Sequence, residues 1–152
     1  MSDSNRTNVC VSIYNENNEC VPFYASSGAS GADIQANISE DILIPPGTRT
    51  LVPTGIFLGI PEGYEVQIRP RSGLAFRNGV HAILGTIDSD YIGEVKVLLM
   101  NSGSDQFVVE PKMRIAQLVC SRVCTMYWNH VHKEELSQTE RGEGGFGSTG
   151  IK

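Results

Sequence analysis

Apolar and polar residues alternate over short runs along most of the chain. The clearest run is YEVQIR at residues 64–69, where every second side chain is apolar, as in a strand with one buried face. A similar alternation at residues 9–14 predicts a first strand near the N-terminus. Further strands are predicted where β-branched and aromatic residues cluster, at residues 42–44, 56–60, 95–100, 107–109 and 115–123.

Turn signals separate these runs at short intervals. Glycine closely follows proline or asparagine at residues 45–47, 53–55, 61–63, 78–79 and 101–103. Small side chains at residues 25–33 predict a loop that ends on Asp33, and residues 72–77 indicate one short helix. We therefore predict an all-β protein, a jelly-roll barrel or sandwich with at most one short helix.

The two ends of the chain differ from its middle. Residues 1–8 predict a disordered tail, residues 9–132 a core domain, and residues 133–152 a polar linker with a flexible glycine-rich arm. Composition leaves two interpretations of this arm open. It is either a frayed terminus, or a loop that closes over a phosphorylated, aromatic ligand through Arg141 and Phe146.

Size and charge narrow the classes of partner. The 152 residues suffice for one domain with its own core, and the net charge of −5 provides no field that attracts nucleic acid or anionic membrane. No apolar run approaches the roughly 20 residues of a membrane helix, and the start lacks the apolar part of a signal peptide. We expect a cytoplasmic protein (nuclear also, in a eukaryotic or viral source) with no nucleic-acid or membrane partner.

Four cysteines are present, and in a cytosolic chain we expect them to be reduced. Zinc is an alternative to consider, because Cys120, Cys124, His130 and His132 lie close together in the sequence. The segment around the two cysteines has the pattern of a strand, in which residues four apart are separated by about 13 Å. Two thiolates must each lie about 2.3 Å from a zinc ion, so a straight strand favours packing over metal binding.

The chemistry-bearing residues concentrate between residues 69 and 97. Pro70 ends the strand 64–69, and Arg71, Ser72 and Gly73 follow at once. An apolar run at residues 80–87 then leads to the acidic segment Asp88-Ser89-Asp90-Tyr91. A basic corner and an acidic corner at the ends of neighbouring β segments suit an anionic substrate and a general base.

Five segments resemble the five motifs of the trimeric dUTPases (deoxyuridine 5′-triphosphate nucleotidohydrolases), in the family's order. They are SGADIQA at 30–36, RPRSGLA at 69–75, GTIDSDYIGEV at 85–95, RIAQLV at 114–119 and RGEGGFGSTG at 141–150. The resemblance implies hydrolysis of dUTP to dUMP and pyrophosphate, with Mg²⁺, by a jelly-roll homotrimer. It further implies that each active site is shared between subunits.

The resemblance assigns roles to residues of this chain. Asp88 matches the general base for the attacking water, although a turn-forming Asp has the same pattern. Tyr91 matches the residue whose ring packs under the deoxyribose, and the backbone of residues 81–85 matches the part that reads uracil. The substrate-binding residues carried over in this way are Arg71, Ser72, Gly73, Gly85, Thr86, Ile87, Asp88, Tyr91, Gln117, Arg141, Phe146, Gly147, Ser148 and Thr149.

Three catalytic residues, Asp88, Arg71 and Ser72, and one metal residue follow from the same resemblance. Ser72 would lie near the bridge between the α- and β-phosphates, where the charge of the leaving group develops. Asp33 would contact Mg²⁺ through a metal-bound water.

The chain departs from the family pattern at one point, and two alternative functions stay open. Lys112-Met113 stands where the family usually has Gly-Asp, which puts the usual partner of Arg114 in doubt. The first alternative is a dCTP deaminase-type enzyme, and the second is a non-catalytic binding protein built on the dUTPase fold.

Overall fold

The computed structural model describes residues 8–16, 19–136 and 138–145. Within them the chain forms ten strands, one α-helix and a 3-10 helix at Lys133–Glu135. The strands are β1 (Ser12–Asn15), β2 (Ala32–Gln35), β3 (Ile42–Ile44), β4 (Arg49–Gly59), β5 (Tyr64–Arg69), β6 (Val80–Ala82), β7 (Gly85–Ile87), β8 (Glu94–Asn101), β9 (Phe107–Val109) and β10 (Arg114–Arg122), and the helix is α1 (Ser72–Asn78). The prediction of an all-β class with one short helix is confirmed, whereas its jelly-roll form and the division at residues 8 and 132 stay predictions.

Three antiparallel sheets organise these strands. One sheet has the order β1-β4-β8-β6, the second has the order β2-β10-β5-β7, and β3 pairs with β9 alone. Along β8, Val95, Val97 and Leu99 are buried and alternate with residues that are less buried, as the two-residue period of a strand requires. The buried faces of all three sheets contribute to one apolar cluster, in which each fully buried Val, Leu or Ile contributes about 1.5–3 kcal/mol.

The helix α1 follows β5 and ends where the sequence predicts a turn. Gly79 adopts φ +66°, and its N–H donates to the carbonyl oxygen of Ala75 at 3.1 Å. A Cβ at Gly79 would lie 2.8 Å from the backbone of Gly103, so both the left-handed backbone and the close approach require glycine here. This turn places β6 in the β4–β8 sheet, while β7 belongs to the other sheet.

Two expectations for turns and loops are wrong. The turn predicted at residues 53–55 is instead an irregularity within β4, where the pairing with β8 shifts between Pro53 and Ile56. Gly55 takes φ +66° there, so the turn chemistry of the sequence makes a bulge rather than a reversal. The loop predicted up to Asp33 ends earlier, because β2 starts at Ala32, and Asp33 is 8% exposed.

The first strand is also displaced, from the predicted residues 9–14 to Ser12–Asn15. Its pairing with β4, which runs from Ser12 opposite Gly59 to Asn15 opposite Ile56, decides these bounds. In the described part of the chain, no helix has the length and apolar character needed to cross a membrane.

Candidate active site

A buried carboxylate joins two arginines at the end of β5. Asp33 lies in β2, and its backbone exchanges two hydrogen bonds with Phe23, at 2.8 and 3.2 Å. Arg71, directly before α1, donates from Nε to Asp33 Oδ1 at 3.1 Å, and Arg114 donates from Nη1 to Asp33 Oδ2 at 3.2 Å. Arg71 Nη1 also donates to the main-chain oxygen of Arg114 at 3.0 Å. We call Asp33, Arg71 and Arg114 the arginine–aspartate cluster.

Gln117 lies beside this cluster on β10, opposite Asp33 on one side and Arg69 on the other. Its Nε2 donates to the carbonyl oxygen of Pro70 at 2.9 Å, so the amide fixes the corner at which β5 ends. A Cβ at Gly31 would lie 2.2 Å from Gln117 Oε1 and 3.0 Å from Gln117 Cβ, so a larger residue there would displace the Gln117 amide. Gly31 was not among the predicted site residues, although it stands inside the SGADIQA motif.

The predicted phosphate residues Ser72 and Gly73 open α1 and are both exposed. Arg71 has the extended backbone of a helix N-cap, with φ −95° and ψ 125°, and makes no side-chain cap. A Cβ at Gly73 would meet nothing within 4 Å. The structure thus brings Arg71, Ser72, Gly73, Gln117 and Asp33 to one corner, which presents two guanidinium groups.

A second predicted group gathers around a cleft of about 360 Å³ beside β7. Asp88 follows β7 and is exposed, and its main-chain oxygen accepts from the N–H of Tyr91 at 3.1 Å. Within the described ranges, the carboxylate of Asp88 makes no hydrogen bond or ion pair, in contrast to that of Asp33. The residues predicted to bind substrate that line this cleft are Gly85, Thr86, Ile87, Asp88 and Tyr91.

Tyr91 is held by the first residue of β8. Its hydroxyl donates to the main-chain oxygen of Glu94 at 2.9 Å, and a Cβ at Gly93 would lie 2.5 Å from that hydroxyl. The Glu94 carboxylate in turn accepts from the N–H groups of Thr54 and Gly55, at 3.2 and 2.9 Å, in the bulge of β4. Sequence reasoning did not select Glu94, because its partners lie about forty residues away and only the sheet register brings them together.

The basic and acidic corners lie at opposite ends of the paired strands β5 and β7. Asp88 follows Ile87, which pairs with Val66 near the start of β5, whereas Arg71 follows Arg69 at the end of β5. At about 3.3 Å per residue, the three steps from Val66 to Arg69 alone separate the two corners by about 10 Å. One copy of the chain therefore does not bring Asp88 and Arg71 together.

The described part of the arm makes local contacts. Arg141 donates from Nε to the carbonyl oxygen of Gly144 at 2.8 Å, and Lys133 pairs with Glu143 at 2.8 Å. The other arm residues predicted to bind substrate, Phe146, Gly147, Ser148 and Thr149, lie outside the described residues.

The departure from the family pattern at residues 112–113 forms a strained turn. Lys112 has φ +62°, the N–H of Met113 donates to the carbonyl oxygen of Glu110 at 3.1 Å, and Lys112 Nζ pairs with Glu19 at 2.7 Å. A left-handed backbone is the conformation that glycine adopts without steric cost. Arg114 nevertheless has a carboxylate partner in this chain, because it pairs with Asp33.

The first corner presents guanidinium groups suited to an anionic ligand, and the second holds an exposed carboxylate beside an aromatic ring. The sequence matches the dUTPase family model over residues 17–150. It is 55% identical over 137 residues to the deoxyuridine 5′-triphosphate nucleotidohydrolase of Chlamydia muridarum (strain MoPn / Nigg), covering 89% of this chain and 94% of that one. The enzyme of the same name from Chlamydia pneumoniae is 54% identical over 132 residues, covering 86% and 90% of the two chains.

Solved dUTPase structures have the same fold as this chain. The dUTPase of Staphylococcus bacteriophage 80alpha, solved with dUPNHPP, superposes with a TM-score of 0.83 at 25% identity and covers 93% of this chain and 99% of its own. A dUTPase from phage phi11 of S. aureus, with a coordinated structural Mg(II) ion, has a TM-score of 0.73 at 18% identity and covers 82% and 98%. The chain therefore belongs to the dUTPase family, and the family and enzyme class predicted from the sequence are confirmed.

Proposed function

We propose that this chain hydrolyses dUTP to dUMP and pyrophosphate, which limits uracil incorporation into DNA and supplies dUMP for dTMP synthesis. The observation that carries the proposal is the cleft beside β7. In the described part of the chain, the carboxylate of Asp88 in this cleft makes no hydrogen bond or ion pair, and it lies beside the ring of Tyr91. Both residues belong to a motif of the dUTPase family, of which the chain is a member.

Asp88 is the proposed general base. Its exposed carboxylate can accept a hydrogen bond from a water and take the proton as that water attacks the α-phosphorus in line with the leaving pyrophosphate. The carboxylate of Asp33 is unsuited to this role, because it is buried and already accepts from two arginines.

The nucleoside is proposed to occupy the cleft, with the deoxyribose against Tyr91. Tyr91 is 47% exposed, and its hydroxyl donates a hydrogen bond to the main-chain oxygen of Glu94. This arrangement leaves an aromatic surface for the sugar. A ring pressed against C2′ offers neither space nor a partner to a 2′-hydroxyl, so UTP is rejected by clash and desolvation. Uracil is proposed to be read by backbone groups of residues 81–85.

The phosphates are proposed to bind at the corner of Arg71, Ser72 and Gly73. A guanidinium group and an exposed hydroxyl there can donate to phosphate oxygens, and Ser72 would stabilise the charge that develops on the leaving group. Gln117 is proposed as a further amide donor beside them.

We propose that each site is completed by a second copy of the chain, in a homotrimer. The separation of Asp88 from Arg71 across β5 and β7 supports sharing, since the base and the phosphate corner of one copy do not face one substrate. The number three comes from the family resemblance. The arm of another copy is proposed to close over the site, with Arg141 and residues 146–149 on the ligand, and to exclude water.

Sharing predicts complementation between two inactive variants, Asp88→Asn and Arg71→Gln. Each alone should lose activity, whereas subunits mixed in equal amounts and reassembled should recover about a quarter of the wild-type activity, because one site in four then combines the two intact residues. Mixing without subunit exchange is the control. Mixed assemblies that stay inactive would contradict sharing between Asp88 and Arg71.

The residues present could bind Mg²⁺ only together with the triphosphate, which would supply most of the oxygen ligands. In the described part of the chain, no three His, Cys, Asp or Glu side chains are grouped to hold a metal ion. Each oxygen of Asp33 accepts one N–H and keeps a lone pair, so Asp33 can face a metal-bound water. When bound, the ion would neutralise phosphate charge.

Pyrophosphate release from dUTP, UTP, dTTP and dCTP, measured in parallel with magnesium, tests the proposed reaction. Turnover of dUTP alone is the expected result. Pyrophosphate from dCTP together with ammonia would indicate a dCTP deaminase-type enzyme. If a folded protein turned over none of the four, a non-catalytic binding protein would be the better assignment.

A further inference from the structure

The arginine–aspartate cluster has a geometry that a role in metal binding alone does not require. We propose that Asp33 serves dUTP hydrolysis mainly as a positioning residue, which holds Arg71 and Arg114 in place for the triphosphate. This inference rests on the proposed function and assigns to Asp33 an effect that is present with or without Mg²⁺.

Two hydrogen bonds fix the guanidinium group of Arg71. Among the described residues, Arg71 uses two of the five N–H donors of its guanidinium, Nε–H toward Asp33 at 3.1 Å and one on Nη1 toward the main-chain oxygen of Arg114 at 3.0 Å. Two bonds fix the plane of the group and leave three donors for an anion. An arginine ordered before binding loses less conformational entropy when the ligand arrives.

Asp33 is itself anchored by its backbone and by burial. Its backbone is bonded to Phe23, it lies opposite Gln117 on β10, and its side chain is 11% exposed. The side chains it holds, those of Arg71 and Arg114, are 26% and 46% exposed. A buried anchor that holds two more exposed cations is the arrangement of a support for a binding surface.

The charges of the cluster favour an anion. One carboxylate lies between two guanidinium groups, so the cluster carries a net charge of about +1 and attracts a polyanion more than a cation. The attraction of Asp33 for a metal ion is weakened by its two partners, whereas its hydrogen bonds to them are charge-assisted.

Binding of the non-hydrolysable analogue dUpNHpp to Asp33→Asn, measured by calorimetry in magnesium and again in EDTA, tests the inference. By charge alone, loss of a carboxylate would tighten the binding of a polyanion when magnesium is absent. We nevertheless expect binding to weaken by about tenfold to a hundredfold in both buffers, because the arginines lose their charged acceptor. The matched control Asp41→Asn removes an exposed carboxylate that lies outside both the cluster and the cleft, and it should bind the analogue like the wild type in both buffers.

Three outcomes decide the inference. Equal weakening in the two buffers supports it. Weakening confined to magnesium would assign Asp33 to the metal, and unchanged binding in both would show no role, so either result overturns it. Wild-type protein that fails to bind dUpNHpp would instead overturn the proposed function, and with it this inference.

A second variant covers the case in which Asp33→Asn does not fold, which thermal unfolding would reveal. Arg114→Gln removes one of the two cations that neutralise Asp33. The carboxylate then has only Arg71 as a charged partner. If Asp33 acts through the metal, binding should then depend more strongly on magnesium, and this result would overturn the proposal. If it positions arginines, binding should weaken by the same factor in both buffers.

Discussion

Replacement of Glu94 should reveal how the bulge of β4 supports the cleft. In Glu94→Ala the N–H groups of Thr54 and Gly55 lose the carboxylate that accepts from them at 3.2 and 2.9 Å. An unsatisfied, partly buried donor costs about 1–3 kcal/mol, and a side chain that is 19% exposed admits some replacement by water. We therefore expect a loss of about 2–3 kcal/mol in the free energy of unfolding. For a chain of this size, this corresponds to roughly 5–10 °C in Tm.

Glu94→Gln is the matched control, since it keeps one acceptor oxygen for the two N–H groups and loses the charge, and with it the ion pair to Lys96 at 3.3 Å. It should lose less than about 1 kcal/mol. Denaturant unfolding at one fixed protein concentration is the assay, because any oligomerisation makes stability depend on concentration. If the alanine variant unfolds at the same denaturant concentration as the wild type, the bonds to the bulge contribute nothing and the reasoning is refuted.

The same pair of variants tests the support of Tyr91. Its hydroxyl bonds to the main chain of Glu94, so a displaced start of β8 should move the ring away from the position proposed to exclude a 2′-hydroxyl. Glu94→Ala should thus lower the ratio of kcat/KM for dUTP to that for UTP, while Glu94→Gln keeps it. If the ratio is unchanged in both variants, the position of the Tyr91 ring does not depend on the bulge of β4.

Two further changes have defined outcomes. Deletion of residues 141–152 should lower dUTP turnover by at least about tenfold while circular dichroism and oligomer size stay as in the full chain, because the proposed closure excludes water; full turnover would show that the arm has no part in the reaction. Lys112→Gly should raise Tm by about 1–3 °C, since glycine adopts φ +62° without strain. Lys112→Ala, which keeps the strain and also lacks the ion pair to Glu19, should not, and equal Tm values for the two variants would contradict this account.

Local sequence determined the elements whose pattern is strong. Residues 42–44, 64–69 and 107–109 are strands with the bounds that alternation and β-branched clusters predict, and Asn78-Gly79 ends α1 as expected. These features depend on side-chain period and on the backbone preferences of glycine and proline, which act within a few residues. The motifs likewise indicated the family, because they consist of contiguous residues.

Tertiary structure decided what depends on distant partners. Pro53 to Gly55 has the composition of a turn, yet the pairing of β4 with β8 makes it a bulge, and Glu94 satisfies that bulge from the next strand. The small residues before Asp33 predict that it ends a loop, but its pairing with β10 buries it between two arginines. The register of β5 with β7 likewise sets Asp88 and Arg71 at opposite ends of the strands, although they are close in sequence. Register and burial depend on which strands pair and which face is covered, and the residues of one segment do not identify its partner strand.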